Sequence, residues 1–157
     1  GGKIKQLYLE PDDVGAYPEA VQAIGEAELV IIGPGSLYTS ILPNLLVKGI
    51  EEAVKDSNGM KVYVCNVATQ IGETEGYSVA DHVEAIRLHA GDALVNYVVA
   101  NSNMAPLGPE FPASPVSLDK RTIPSIELVE AELVNEVFRL HHDPHKLAST
   151  LMELMTK

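Results

Sequence analysis

The sequence contains few of the residues on which disulfide scaffolds and aromatic-rich surfaces depend. It has one cysteine, Cys65, and no tryptophan, and aromatic residues make up only 5% of the chain. A single cysteine excludes an internal disulfide and fits the reducing environment of the cytoplasm, where we expect the protein to act. Because Cys65 lies in the apolar stretch KVYVCN, we interpret it as a small buried residue rather than a reactive thiol.

Positive charge is also scarce. The chain has 11 Lys and Arg residues against 22 Asp and Glu residues, which gives a formal net charge of −11. Proteins that bind the nucleic-acid backbone or anionic lipids need clustered Lys and Arg, so we expect no nucleic-acid partner and no membrane partner. No apolar run approaches the ~20 residues of a membrane span. A small anionic ligand remains compatible with this charge, because backbone N–H groups can hold a phosphate.

The sequence does contain enough apolar residues for one domain, in an alternating order of strands and helices. Its 157 residues are 46% hydrophobic, which suits a single globular core. Buried strands are predicted at ELVIIG, KVYVCN and ALVNYVVAN, with helices between them. Such alternation implies parallel βαβ units, so we predict an α/β fold with a mostly parallel, doubly wound sheet in three layers.

Four further elements are predicted from local patterns. Alternation in IKQLYLE indicates a half-exposed strand over residues 4–10, and one continuous helix is expected over residues 43–59. A helix over residues 78–91 carries an apolar stripe made of Val79, Val83, Ile86 and Ala90. The last helix begins at Pro144, with Asp143 as its N-cap.

In a sheet of this kind the ligand lies at the carboxyl ends of the strands. Three segments are expected there: Gly33–Thr39, Asn66–Tyr77 and Asn101–Ala105. The first reads GPGSLYT and connects a buried strand to a helical run. Glycines allow backbone approaches that a Cβ would block, so the segment is either a phosphate-binding turn or a tight structural turn. It matches neither a Walker A loop, nor G-x-G-x-x-G, nor G-x-S-x-G.

The second segment carries amide and hydroxyl side chains along a long polar loop. Asn66, Thr69 and Gln70 are expected to read hydrogen-bonding groups of a ligand, and Glu73 is a candidate for positioning a ligand hydroxyl. The alternative interpretation is a solvated loop. We find no clear pair of catalytic carboxylates, so catalytic residues are not assigned.

Histidines suggest a metal site only at HHDPH, residues 141–145. Asp143 is fully explained there as an N-cap, and adjacent histidines rarely converge on one ion. His82 and His89 share a helix face but lie two turns apart, which is too far for one ion. We therefore predict no metal site.

The motifs together resemble a known family. VIIGPGSLYTSILPNLLVKGIEEAV and KVYVCNVATQIGETEGYSVADHVEAI, with their spacing, are similar to the CofD-like family, and most closely to its YvcK branch of gluconeogenesis factors. The resemblance implies a Rossmann-like α/β/α fold. It also implies that residues 1–157 are one CofD-like domain fragment, the C-terminal half of a longer protein whose N-terminal half carries a glycine-rich nucleotide-binding loop. Pairing with that missing half, or homo-oligomerisation, is the expected assembly.

The resemblance to the YvcK branch also implies a function. It suggests a cytoplasmic regulatory protein that binds a nucleotide sugar such as UDP-N-acetylglucosamine and controls cell-wall precursor supply and cell shape under gluconeogenic growth. The alternative is a transferase that moves 2-phospho-L-lactate from a guanosine diphosphate-activated donor to a deazaflavin, for which Mg²⁺ is a possible cofactor. Whether the protein is an enzyme is left open by the sequence.

The resemblance implies a set of ligand contacts. Residues 33–37 would face the phosphates, while Asn66 and Thr69 would line the same cleft. Two departures from the family pattern bear on affinity: Ile71 stands where a proline is expected, and His141 stands where an arginine is expected. The complete set of candidate ligand-binding residues is Gly33, Pro34, Gly35, Ser36, Leu37, Thr39, Asn66, Thr69, Gln70 and Glu73.

Overall fold

The computed structural model describes residues 4–119 and 124–157, which form a parallel four-stranded sheet with helices on both faces. The strands lie in the order of the chain: β1 (Leu29–Ile32), β2 (Met60–Val64), β3 (Tyr97–Asn101) and β4 (Glu127–Ala131). The helices are α1 (Pro18–Glu26), α2 (Leu42–Leu45), α3 (Ile50–Asp56), α4 (Val79–Ala90) and α5 (Pro144–Met155). A π-helical turn, Leu37–Ile41, precedes α2 directly.

The two faces of the sheet carry separate apolar cores, because side chains alternate along each strand. Tyr63 and Val98 point to the face that α2, α3 and α4 cover. Val62 and Val99 point to the opposite face, where Leu154 of α5 packs on them. The sequence prediction of a three-layer α/β fold with a parallel sheet is therefore confirmed.

The register of the sheet brings the carboxyl ends of neighbouring strands together. Ile32 is paired with Tyr63, and Val64 with Val99. The segments that leave these strands therefore start at one edge of the sheet, which positions the candidate site.

The predicted strand over residues 4–10 is wrong. This segment makes no ladder with any described strand, although Ile4 and Leu7 are half-buried against the core of the α2–α4 face. Alternation of apolar and polar residues describes one buried side, but a strand also needs a neighbour for its backbone groups.

The single helix predicted over residues 43–59 is also wrong, because the chain breaks into α2 and α3. Gly49 has φ +98°, a left-handed conformation that ends the run between the two helices. One continuous helix would place Leu46, Ile50, Ala53 and Val54 on one face, but only Val54 among them is fully buried. The helical spacing of apolar residues therefore continues across Gly49, although the Gly49 backbone is not helical.

The other helix predictions are confirmed. The stripe of α4 is buried, and Ser78 and Asp81 form a capping box at its start, as Gly91 ends it. At α5 the Asp143 carboxylate accepts hydrogen bonds from two backbone N–H groups of the first turn. Within the described ranges 4–119 and 124–157, no helix has the length and apolar character needed to cross a membrane.

Candidate functional site

The turn that follows β1 approaches β2 so closely that its first residue must be glycine. Gly33 has φ +86°, and a Cβ added to it would lie 2.9 Å from the Val64 carbonyl oxygen of β2. The Gly33–Pro34 peptide bond is cis. Leu37 is fully buried just beyond the turn, whereas Pro34 and Thr39 are exposed. The turn therefore packs against β2 at Gly33, whereas Pro34 and Thr39 are exposed to solvent.

The Asn66 side chain holds this turn in place by bonding both backbone polar groups of Gly35. Its Nδ2 donates to the Gly35 carbonyl oxygen at 2.9 Å, and its Oδ1 accepts from the Gly35 N–H at 3.2 Å. A carboxamide that pairs with both backbone groups of one residue replaces the ladder contacts of a neighbouring strand. The structure thus places Asn66 beside the turn, with its side chain engaged by the protein.

Gln70 makes the second contact from the same loop. Its Nε2 donates to the Ser36 hydroxyl oxygen at 2.6 Å. The Gln70 backbone is itself fixed, because its N–H donates to the Thr74 Oγ1 at 2.9 Å and its carbonyl accepts from the Thr74 N–H at 2.9 Å. The Gln70 Oε1 is buried and has no hydrogen-bond partner among residues 4–119 and 124–157.

Thr69 lies in the interior of the loop. It is buried, its hydroxyl oxygen accepts from the Ser114 N–H at 3.1 Å, and its own N–H donates to the Ser114 carbonyl at 2.8 Å. These two bonds attach the proline-rich segment to the loop after β2. The Thr69 hydroxyl therefore serves loop packing in this structure.

Glu73 faces the exposed Thr39 of the π-helical turn. The Thr39 hydroxyl donates to the Glu73 Oε1 at 3.4 Å. The second carboxylate oxygen, Oε2, is buried without a hydrogen-bond partner in the described part of the chain. This contact places Glu73 beside the π-helical turn that follows the glycines.

A partly buried cluster of aromatic rings lies behind the turn, between it and α4. The hydroxyl oxygens of Tyr38 and Tyr77 are 2.8 Å apart, and their rings contact His89 and His82 edge to face. Burial and the hydrogen bond to Tyr77 raise the pKa of Tyr38 well above its usual range. This hydroxyl therefore stays protonated at any physiological pH.

His82 and His89 are committed to the backbone of α4. The Nδ1 of each donates to the carbonyl oxygen four residues earlier, at 2.8 Å in both cases, because a carbonyl can only accept. Burial lowers the pKa of His82, which keeps it neutral at pH 7. No group of three His, Cys, Asp or Glu side chains within residues 4–119 and 124–157 is arranged to hold a metal ion.

His142 reaches the same end of the sheet. Its Nε2 donates to the Cys65 carbonyl oxygen at 3.1 Å, directly before Asn66. Burial lowers the pKa of His142, so the ring is neutral at pH 7. His141, which occupies the expected arginine position, is exposed and packs on Phe138 instead.

The third predicted segment, residues 101–105, begins at the carboxyl end of β3. The side chain of its first residue, Asn101, bonds the backbone of the chain that follows β3 and β4. Asn101 is buried, and its Oδ1 accepts from the Leu133 N–H at 3.1 Å. Its Nδ2 donates to the Asn103 carbonyl at 2.7 Å. The structure therefore brings the first two predicted segments into contact, whereas the contacts of Asn101 are with the chain after β3 and β4.

A groove of about 410 Å³ opens beside the turn along the outer edge of β1. It begins at residues 33–35 and continues over apolar side chains of β1, α1, α2 and α3. Ile31 of β1 is 46% exposed, and its pairing with Val62 places it on the face of the sheet that α5 covers. The edge of the sheet next to the candidate site is thus both open and apolar.

Comparison with known proteins agrees with this architecture. Residues 1–134 match the family described as 2-phospho-L-lactate transferase CofD. The chain is 42% identical over 165 residues to the gluconeogenesis factor of Bacillus subtilis (strain 168), covering 99% of this chain and 51% of that protein. It is 39% identical over 160 residues to the gluconeogenesis factor of Listeria monocytogenes, again with 99% and 50% coverage.

A solved structure shows the same fold. The crystal structure of a UPF0052 family protein from Bacillus halodurans superposes with a TM-score of 0.85 at 39% sequence identity. The match covers 99% of this chain and 51% of that one. The chain spans about half the length of the relatives it matches, and within that span it belongs to the CofD family.

Proposed function

We propose that this chain forms the nucleotide-sugar-binding half of a cytoplasmic regulatory protein similar to the gluconeogenesis factors. In that role it would control cell-wall precursor supply and cell shape during gluconeogenic growth. The observation that carries the proposal is the Gly33–Ser36 turn at the strand ends, held in one conformation by Asn66 and Gln70.

The turn has the chemistry that a phosphate requires in an acidic protein. With a net charge of −11, the chain offers little long-range attraction to an anion, so local donors must supply the binding. A glycine-rich turn lets a phosphate approach backbone N–H groups, and Ser36 adds a hydroxyl. The neighbouring Glu73 would repel a phosphate, so it suits a hydroxyl-bearing part of the ligand.

We further propose that the site is completed by a partner segment along β1. The other edge strand, β4, carries the exposed carboxylates of Glu127 and Glu130, which discourage pairing. The β1 strand reads LVII and has no charge, and the 410 Å³ groove runs beside it. The half of the longer relatives that this chain does not span is the proposed occupant, and a second copy of the chain is the alternative.

Calorimetric titration with UDP-N-acetylglucosamine tests the binding proposal. It should be done with this chain and with a full-length relative such as the Bacillus subtilis gluconeogenesis factor. Binding by both places sufficient contacts in this half, and binding by the relative alone places essential contacts in the other half. Absence of binding by both contradicts the proposal.

Two glycine variants give the titration a matched control. Gly33→Ala and Gly72→Ala both place alanine at a left-handed position, with φ +86° and +77°. Only the Cβ at residue 33 would meet backbone, whereas residue 72 has open space within 4 Å. We expect Gly33→Ala to abolish binding and Gly72→Ala to preserve it. Equal loss in both would mean that the turn has no special role.

A second candidate function is supported by the family description itself, which is that of a transferase. Phosphoryl-group chemistry can proceed largely by positioning and charge neutralisation, often with Mg²⁺, so the absence of an evident catalytic base is compatible with it. The test is incubation of a full-length relative with a guanosine diphosphate-activated 2-phospho-L-lactate donor, Mg²⁺ and a deazaflavin. Formation of a phospholactyl deazaflavin supports the transferase and contradicts a purely regulatory role.

A further inference from the structure

We propose that Gln70 is a positioning residue that fixes the hydrogen-bonding direction of Ser36. Its amide makes the Ser36 hydroxyl a donor toward the ligand, and so selects a ligand group that accepts hydrogen bonds, such as a phosphate. Gln70 itself does not contact the ligand in this proposal. The inference rests on the proposed function, because it describes how the same turn recognises its ligand.

The direction of the Ser36 hydroxyl follows from which atom carries the proton in its contact with Gln70. The Gln70 Nε2 lies 2.6 Å from the Ser36 Oγ and can only donate, so the serine oxygen accepts. The Ser36 hydroxyl proton must then point away from Gln70. Among residues 4–119 and 124–157, the Ser36 hydroxyl has no acceptor for this proton. The proton is therefore available to a bound group.

The Gln70 side chain is well placed to enforce this direction. It reaches from the loop after β2 to a turn 34 residues earlier in the sequence. Its backbone is bonded at both polar groups to Thr74, which is fully buried. A side chain held at its base and its tip leaves Ser36 little freedom to rotate its hydroxyl toward other partners.

A second hydroxyl on the same stretch has the opposite direction. Thr39 donates its proton to the Glu73 Oε1 at 3.4 Å, so the threonine oxygen and the carboxylate both present acceptors. Ser36 and Thr39 thus offer a donor and an acceptor within one helical turn of chain. This pattern fits a ligand in which an anionic group lies next to a group that carries hydroxyls.

The first test needs no ligand. If the amide NH₂ of Gln70 faces Ser36, the NMR spectra of this chain show a strong nuclear Overhauser contact between a Gln70 side-chain amide proton and the Ser36 β-protons, and Ser36→Ala, which removes the acceptor, shifts that amide proton. Absence of this contact would mean that the Gln70 Oε1 faces Ser36 and accepts its proton, which overturns the proposal. The matched control is Ser40→Ala, an exposed serine on the same helical stretch, which should leave the Gln70 amide signals unchanged. Unchanged Gln70 signals in Ser36→Ala overturn the proposal, whatever the ligand proves to be.

The second test uses Gln70→Glu, which keeps the shape of the side chain. An ionised carboxylate can only accept, so the Ser36 hydroxyl would turn toward it and be lost to the ligand. Loss of a hydrogen bond to a charged group corresponds to a weakening of about 10–100-fold. The probe is UDP-N-acetylglucosamine, titrated against whichever of this chain or the full-length relative binds it. The control for the added charge is Ile71→Glu, at the exposed neighbouring position of the same loop.

The pH profile separates this effect from simple damage to the loop. The introduced carboxyl becomes a donor when it is protonated, near its reference pKa of about 4.3. The ratio of variant to wild-type affinity should therefore approach one as the pH falls toward 4. Equal affinity at pH 7, or a defect that persists at pH 4, overturns the proposal. If neither wild-type protein binds the probe, the proposed function fails and the NMR result alone decides the role of Gln70.

Discussion

Asn66 and Asn101 illustrate, at the scale of single residues, how a carboxamide side chain can satisfy backbone groups beyond the end of a strand. Each lies at the carboxyl end of a buried strand, and each pairs with backbone groups of a distant or neighbouring loop. A parallel strand leaves its last N–H and C=O groups and those of the adjoining loop without ladder partners. Asparagine supplies one donor and one acceptor in a compact form, so it satisfies both kinds of group at once.

The residues whose roles the sequence predicted correctly are those with local explanations. Cys65 is buried directly after the last residue of β2, and Asp143 caps the helix that follows it. The partners of Asn66, Gln70 and Thr69 lie 31, 34 and 45 residues away in the sequence. Local pattern indicates that such side chains are polar and near strand ends, but only the tertiary fold determines what they bond.

At the residue scale we predict that Cys65 is inert in the folded protein. It is fully buried, and burial raises the pKa of its thiol to about 12, so almost none of it is thiolate at pH 8. Alkylation by iodoacetamide at pH 8 should therefore proceed only through unfolding, while the chain in guanidinium reacts at the rate of a free thiol. Rapid labelling of the folded chain would contradict the burial of this side chain.

At the scale of elements, the helices show when the periodicity of apolar residues is sufficient to predict a helix. In α4 the apolar stripe, the capping box and the terminal glycine all agree, and the predicted helix is the observed one. Between α2 and α3 the apolar spacing continued while Gly49 adopted a left-handed backbone. The hydrophobic pattern describes burial, and it does not report the backbone dihedral of a glycine.

A pair of glycine variants tests this reading of the α2–α3 break. Gly49→Ala should destabilise the fold by about 1–2 kcal/mol, because alanine is strained at φ +98°. Gly25→Ala, near the end of α1, should stabilise it by about 0.5 kcal/mol, since an added Cβ there meets nothing within 4 Å. Urea unfolding followed by circular dichroism measures both. Equal effects of the two substitutions would mean that the backbone at residue 49 is not constrained.

At the scale of the whole molecule, the two edges of the sheet differ in chemistry. The strand β4 exposes carboxylates, whereas β1 is entirely apolar and lies beside the groove. An uncharged edge strand is a site for pairing with another chain. The layered fold, and the meeting of the Gly33–Thr39 and Asn66–Tyr77 segments at the strand ends, followed from the alternation of elements. The unpaired edge could not be recognised until the strand order was known.

This asymmetry predicts that the isolated chain associates through β1. Ile31→Lys should reduce self-association by placing a charge on the uncharged edge strand. Ile71→Lys, at a loop position that is 57% exposed, introduces the same charge away from the edge and should have little effect. Sedimentation velocity over a range of concentrations distinguishes them. A monomeric wild type, or identical behaviour of both variants, would exclude β1 as the interface.

The strand order β1-β2-β3-β4 also bears on how the molecule assembles. Each strand of the described sheet pairs only with the strand that precedes or follows it in the chain. During synthesis, every new strand therefore finds its partner already made, and no insertion between existing strands is needed. Within the described sheet, growth can therefore proceed in one direction, from β1 to β4, as these strands leave the ribosome.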